Sequence, residues 1–347
     1  MNESAITPLE PVAQSLLNAC GRGTLVSLEP LAGGRNNRVY RVTSDQTTAI
    51  LKQYYRNPAG GHDRFASEVA WCEFCDHFRF AWTPVLWARD DAVACALFEE
   101  LPGRAVRIED VNAAAVSQAA DFLSAVNDHR FTPEAERLPF AAEACFTWRD
   151  HIQTVERRLA RLSAIVPGDD MDRDMLAWMQ TELTPVWQQI QSDVQGFGTE
   201  QLEQPLSRVE QCLSPSDFGF HNAWRLPNGE LRFLDFEYAG WDDPAKLLCD
   251  FYWQVDLPAP RETWPTMIAA LTNDPGPLAE RVERLFPVYG IKWCSIVLNE
   301  FLPSGRERRH FAGEGLKDRR PVQLDKARAL LQDVVAAMKS PWLPTPG

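Results

Sequence analysis

The chain changes texture at Leu101-Pro102-Gly103, and this break constrains its fold more than any other feature. Upstream, short β-branched or alternating runs recur at 24–32, 37–44, 47–55, 84–90 and 92–100, separated by turn residues. Such runs read as antiparallel strands. One helical segment, about 62–79, interrupts them. Downstream, long helical patterns dominate, at 108–129, 148–165, 174–194, 243–255, 276–286 and 317–340. The expected fold is α+β and two-lobed. A small antiparallel β lobe with one helix covers residues 1–100, and a larger, mainly helical lobe covers 101–347. The joint falls at about 98–103, where Pro102-Gly103 stops the strand.

One stretch breaks the helical half, "SPSDFGFHNAWRLPNGELRFLDFEYAGWDDP" at 214–244. Asn228-Gly229 is a strong two-residue turn signal. With that turn, Leu226 faces Leu231, Trp224 faces Phe233, and Asn222 faces Asp235. Cross-strand neighbours have Cβ atoms roughly 5 Å apart, so an amide oxygen and a carboxylate would lie side by side. That pair suits a hard cation such as Mg²⁺. Pro227 offers an alternative, a type I turn with a bulge at Gly229, which shifts the register by one. Asp217 stands five residues before Asn222. D-x-x-x-x-N followed by a hairpin and D-F is an arrangement used for phosphoryl transfer: one Asp orients or deprotonates the attacking hydroxyl, while the Asn and second Asp hold Mg²⁺. The plainer alternative is that Asp217 and Asn222 are loop formers and Asp235 caps a turn.

The first hundred residues supply further parts. Gly33 and Gly34 lie between two expected strands, either as a plain hairpin or as backbone that covers phosphates. Lys52, in "AILKQYY", points either to solvent or inward to phosphates. Glu68 follows 16 residues later on the expected helix, beside the apolar positions Phe65, Val69 and Cys72. A strand Lys paired with a Glu on the next helix is the ion pair of kinases.

Taken in order, "GGRNNRVYRV", "ILK", Glu68, "LFEELPG", "SDFGFHN" and "LDFEYAGWDDP" resemble the aminoglycoside phosphotransferase and choline kinase superfamily over roughly 25–300. The resemblance implies a protein-kinase-like fold using ATP, or sometimes GTP, with Mg²⁺. It implies Asp217 as the catalytic residue, Asn222 and Asp235 as metal ligands, and Lys52 with Glu68 as the phosphate anchor. It also implies Phe98 at the back of the adenine pocket, with the backbone of Glu99 and Leu101 along the adenine edge.

The chain departs from the family pattern in places. Pro215-Ser216 replaces the usual His-Gly before the catalytic Asp, and Glu237 stands where protein kinases have the Gly of D-F-G. Leu247 occupies the second Asp position of D-P-x-x-D, and Asp250, on nearly the same helix face, is a candidate to support the catalytic loop instead.

The implied acceptor is a small-molecule hydroxyl on an amino alcohol such as choline or ethanolamine, a sugar or an aminoglycoside. Tyr238, Trp241, Tyr252 and Trp253 form either an aromatic wall for it or helix-packing core. The basic loop at 299–313, with Arg306, Arg308, Arg309 and His310, is either a contact for an anionic group or a solvated surface. The intact set Asp217, Asn222 and Asp235 argues against an inactive nucleotide-binding regulatory module. Only "FEYAGWD" separates Asp235 from the helix at 243, which leaves little platform for a peptide substrate.

Charge and cysteine use agree with this reading. A net charge of -13 argues against broad nucleic-acid binding and suits a neutral or cationic substrate. No run of about 18 apolar residues marks a membrane span, and the start "MNESAITPLEPVAQSLL" lacks the pattern of a signal peptide. The eight scattered cysteines do not form a disulfide framework. Cys72 and Cys75 read as core-facing thiols, and a reducing cytoplasm is the expected compartment.

Overall fold

Alternating side chains build the N-terminal sheet. The computed structural model describes residues 9–31, 37–56, 60–195, 199–303 and 318–339. Strands β1 (Leu25–Leu31), β2 (Arg38–Ser44), β3 (Thr48–Gln53), β4 (Leu86–Asp90) and β5 (Cys95–Glu99) form one sheet in the order β1-β2-β3-β5-β4. Every neighbouring pair is antiparallel. Helix α1 (Leu9–Cys20) covers one face. Its stripe Leu9, Val12, Ala13, Leu16 and Leu17 packs with Val42, Ala49, Leu51, Cys95 and Leu97. Helix α2 (Arg64–His77) starts at Asp63, whose side chain accepts the Ala66 N–H, a standard N-cap. Successive strand residues point to opposite faces. Leu51 joins the α1-covered face, so Lys52 is directed to the other.

The described residues divide into two compact units. The first takes the chain up to Arg104 and returns for Trp224–Glu237; the second contains Ala105–Ala223 and the described residues from Tyr238 onward. The fold is α+β.

Within the first unit, the returning segment forms a tight hairpin. Gly229 N–H donates to the Leu226 carbonyl at 2.9 Å, and Leu226 N–H donates to Glu230 at 2.8 Å. Gly229 has a φ of +89°. Leu226 therefore pairs with Glu230 rather than Leu231. This is the bulged register, favoured because Pro227 pre-sets the turn and Gly229 tolerates the left-handed bulge position. The Trp224 indole donates to the Pro102 carbonyl at 3.2 Å. At Gly103 the backbone has a φ of +112°, and an added Cβ would lie 2.1 Å from the Arg225 carbonyl oxygen. Gly103→Ala should destabilise the protein by at least about 1–3 kcal/mol through strain and collision. Chemical denaturation checks this, and an unchanged midpoint would contradict it.

The second unit is mainly helical. Helix α3 (Ala113–Asp128) is capped by Asn112. The long helix Pro275–Val297 runs through Pro287 without a break and packs on the helices Trp148–Ser163, Pro244–Trp253 and Arg320–Lys339. Buried charges tie these helices together. Lys246 pairs with Asp242. Asp243 accepts from Arg281 at 2.6 Å and lies 3.0 Å from the His151 ring. Asp250 accepts from Lys292 at 2.8 Å and from the Trp293 indole at 3.0 Å. Asp250 thus joins helices, and Leu247 is buried. Breaking one such buried pair costs about 3–5 kcal/mol. The eight cysteines are free thiols, with Cys72 and Cys75 buried. No helix of the described residues is long and apolar enough to cross a membrane.

Candidate active site

In the first unit, one buried lysine pairs with two carboxylates and feels the charge of a third. The Lys52 ammonium lies 2.5 Å from Glu68 on α2 and also pairs with Asp235. Both oxygens of Glu68 are held. Oε2 additionally accepts the Tyr54 hydroxyl at 2.8 Å, and Oε1 accepts the Phe236 N–H at 3.3 Å. The D-F-E segment is threaded to suit. Asp235 has a φ of +67°, an uncommon conformation for a residue with a side chain. Phe236 turns inward and stacks on Trp71 of α2 at 5.7 Å. Glu237 is fully buried, accepts the Asn37 amide at 2.5 Å, and lies 3.8 Å from the Arg64 guanidinium. Asn37 in turn accepts the Tyr55 N–H at 3.2 Å, so the start of β2, the end of β3 and the D-F-E segment share one clamp.

Three acids around one ammonium cannot all be neutralised by it. Burial is the largest influence on Glu68 and lifts its pKa from 4.5 to about 7, against the pull of Lys52. Burial also raises Glu237, with the Asp235 charge adding to it. For Lys52, burial opposes the charge, but Asp235 and Glu68 hold its pKa well above the ordinary value. Folded Glu68 keeps its proton to about pH 7, whereas an unfolded glutamate loses it near 4.5. The native state then binds the extra proton, so this group makes stability fall as pH rises through that window. Glu68→Gln should flatten the decline. Denaturation at about pH 5 and about pH 8 measures it, and identical pH slopes for both proteins would refute the assignment.

In the second unit, the segment Ser216–Asn222 presents Asp217. The strand before it, Cys212–Ser214, pairs with Gly240–Asp242 and is clamped by Asn127 of α3. That amide donates to the Leu213 carbonyl at 3.0 Å and accepts the Leu213 N–H at 2.9 Å. Ser216 has a φ of +66°, and its N–H donates to the Ser214 hydroxyl at 3.0 Å. Phe218 stacks on Phe251 at 5.6 Å and meets Phe122 at 5.8 Å, while Phe220 meets Phe251 edge-on at 5.6 Å. These rings fasten the segment to the helical core. Asp217 keeps a side chain 42% exposed, with His221 3.3 Å from its Oδ1. The Asn222 amide donates to the Asp217 carbonyl at 2.9 Å, which leaves the amide oxygen of Asn222 to accept.

Other expected positions are placed as follows. Phe98 is buried on β5, opposite Ile50 and Leu86. Glu99 pairs with Ala49 and accepts the Val85 N–H at 3.0 Å. Leu101 follows the strand. Gly33 and Gly34, and Arg306, Arg308, Arg309 and His310 of the basic loop, lie outside the described residues. Trp241, Tyr252 and Trp253 are buried. The Trp241 indole donates to Ala135, the Tyr252 hydroxyl meets Thr263, and the Trp253 indole donates to Phe286. They are core rather than an open aromatic wall; Tyr238 is half-buried.

Taken separately, Asp235 in the first unit and Asn222 in the second each offer an oxygen ligand of the kind that Mg²⁺ prefers. Among the described residues, no three His, Cys, Asp or Glu side chains form a ready cage.

A helix-borne carboxylate on a sheet lysine, with a D-F carboxylate beside it, belongs to the kinase-like folds. Solved structures similar to this one have that fold. The choline kinase LicA from Streptococcus pneumoniae matches with a TM-score of 0.58 at 13% identity, covering 94% of this chain and 99% of that one. Spectinomycin phosphotransferase APH(9)-Ia, in complex with ADP and spectinomycin, matches at 0.61 and 10% identity, with 95% and 98% covered. The Plasmodium vivax ethanolamine kinase matches at 0.54 and 14% identity, with 89% and 83% covered. No curated protein matches the chain in sequence. The chain belongs to the phosphotransferase enzyme family, whose model matches residues 27–286.

Proposed function

We propose that this protein is an ATP- and Mg²⁺-dependent phosphotransferase that moves the γ-phosphoryl group of ATP to a hydroxyl of a small molecule. The observation that carries this reading is the convergence of Glu68 and Asp235 on the buried ammonium of Lys52. A lysine held in place from both sides is pre-organised to anchor phosphate oxygens. Phosphoryl transfer needs little beyond positioning and charge neutralisation, and the residues present supply both.

In this reading the acceptor hydroxyl attacks the γ-phosphorus, and the new O–P bond forms as the bond to ADP breaks. Asp217 receives the hydroxyl proton. Lys52, oriented by Glu68, holds the phosphates. Asp235 and Asn222 have the role of Mg²⁺ ligands, and the ion, when bound, neutralises phosphate charge. Phe98 and the backbone of Glu99 and Leu101 border the adenine.

The acceptor is an amino alcohol, a sugar or an aminoglycoside. Support comes from the neighbouring folds, a choline kinase, an ethanolamine kinase and a spectinomycin phosphotransferase. The net charge of -13 also suits a neutral or cationic acceptor. ADP release, measured across a panel of these three classes with Mg·ATP, is the test. Turnover with one member supports the reading. Tight Mg·ATP binding with no turnover on any member or on water would replace the enzyme with a nucleotide-binding module.

A further inference from the structure

We propose that Tyr54 is a positioning residue of the phosphate anchor: its hydroxyl holds Glu68 in place independently of Lys52, so that the ammonium keeps its bearing when it turns to phosphate. The inference rests on the phosphotransferase reading above and deepens it.

The strand and the helix bring three groups together. Lys52 and Tyr54 stand two residues apart at the end of β3, and alternate residues of a strand share a face. The extended pairing reaches Tyr54, whose N–H donates to the Ala94 carbonyl at 3.0 Å. Helix α2 sets Phe65 and Glu68, one turn apart, against that face. The Tyr54 ring meets Phe65 edge-on at 5.4 Å, and its hydroxyl donates to Glu68 Oε2 at 2.8 Å. Lys52 Nζ lies 2.5 Å from the same oxygen and 4.9 Å from the centre of the tyrosine ring, within cation–π reach. Tyr54 therefore touches both members of the ion pair.

Towards an ionised carboxylate the hydroxyl is a donor, because such a group only accepts. Tyr54 is buried. Burial, then the charge of Glu68, pushes its pKa up, so the hydroxyl keeps the proton that it donates. Bonds to a charged partner are the stronger kind.

A second donor on Glu68 matters because of what Lys52 has to do. An ammonium carries three N–H bonds. Lys52 already directs them at Glu68 and Asp235, and arriving phosphate oxygens compete for the same donors. The Tyr54 bond is outside that competition. With it on Oε2, and the Phe236 N–H on Oε1 at 3.3 Å, each oxygen of Glu68 keeps a partner that phosphate does not claim. A free glutamate side chain samples many rotamers; this one is held in a single arrangement while the lysine works.

The test is calorimetric titration of the full chain with Mg·ATP at about pH 8, where Glu68 is ionised, beside a melting curve. Tyr54→Phe removes one oxygen and keeps the ring. Glu68 Oε2 still accepts from Lys52, so no buried group is stranded and the variant should fold. Its Kd for Mg·ATP is expected to rise about 10-fold, the scale of one lost hydrogen bond to a charged group, with the melting temperature within a few degrees of wild type. A purely structural role would lower the melting temperature and leave Kd alone, so a wild-type Kd in Tyr54→Phe overturns the proposal. Adding Tyr54→Phe to Glu68→Ala should weaken binding no further. A second loss of the same size there means that the hydroxyl does not act through Glu68, and overturns it too. Lys52→Met is run in parallel. If it loses Mg·ATP while Tyr54→Phe binds as wild type does, only the Tyr54 role falls. If Lys52→Met binds as wild type does, or the wild type binds no Mg·ATP, the phosphotransferase reading falls and this inference with it.

Discussion

Asp217→Asn is expected to lower phosphoryl transfer by about 10²–10⁴-fold, the usual contribution of a positioned general base, while leaving ATP affinity unchanged. The substitution is isosteric and removes only the ability to take a proton. The segment around it should hold its shape, because Phe218 and Phe220 anchor it in the aromatic core and the Asn222 amide grips the backbone carbonyl rather than the carboxylate. The phosphates are assigned to Lys52, so nucleotide binding does not draw on Asp217. Single-turnover ADP formation and calorimetric ATP titration separate the two quantities. A near-normal rate would remove Asp217 from the chemistry; a matching loss of affinity would make it a binding residue.

Lys52→Met should abolish measurable Mg·ATP binding and also weaken the fold. The lysine is buried and faces Glu68 and Asp235 directly, with Glu237 close enough to feel its charge. Methionine replaces its length but not its charge. Leaving buried acids without a cation costs about 3–5 kcal/mol where they stay ionised. Glu68 already holds its proton to about pH 7, and without the ammonium it would hold it further. The deficit should therefore be largest near pH 8 and shrink towards about pH 6. Denaturation at both pH values checks the sign. A deficit independent of pH, or intact ATP affinity, would sink the account of this cluster.

The sheet is legible in the sequence because β-branched alternation and turn residues mark each strand locally. Lys52 and Glu68 are legible as a pair for the same reason: a strand and the helix that follows it are 16 residues apart. Three elements are harder to read. Helix α1 is absent from the expectations above although Leu9, Val12, Leu16 and Leu17 recur at helical spacing. Pro11 lies in its first turn, and docking on the sheet, not propensity, secures so short a helix. The helix expected over 276–286 continues to Val297, because the burial of Phe286 and Val288 outweighs the cost of Pro287. The hairpin has two admissible registers, and only the observed bonds at Leu226 choose between them. The Asn37–Glu237 clamp joins residues 200 positions apart, and no local pattern announces such a contact.

The aromatic mooring of Ser216–Asn222 has a consequence for how the protein should fail on heating. Phe218 and Phe220 share Phe251 and Phe122 with the helical interior, so the segment cannot loosen while that interior stays intact. Heat inactivation and loss of helical signal should therefore trace one curve, with no temperature range in which a folded molecule has lost its chemistry.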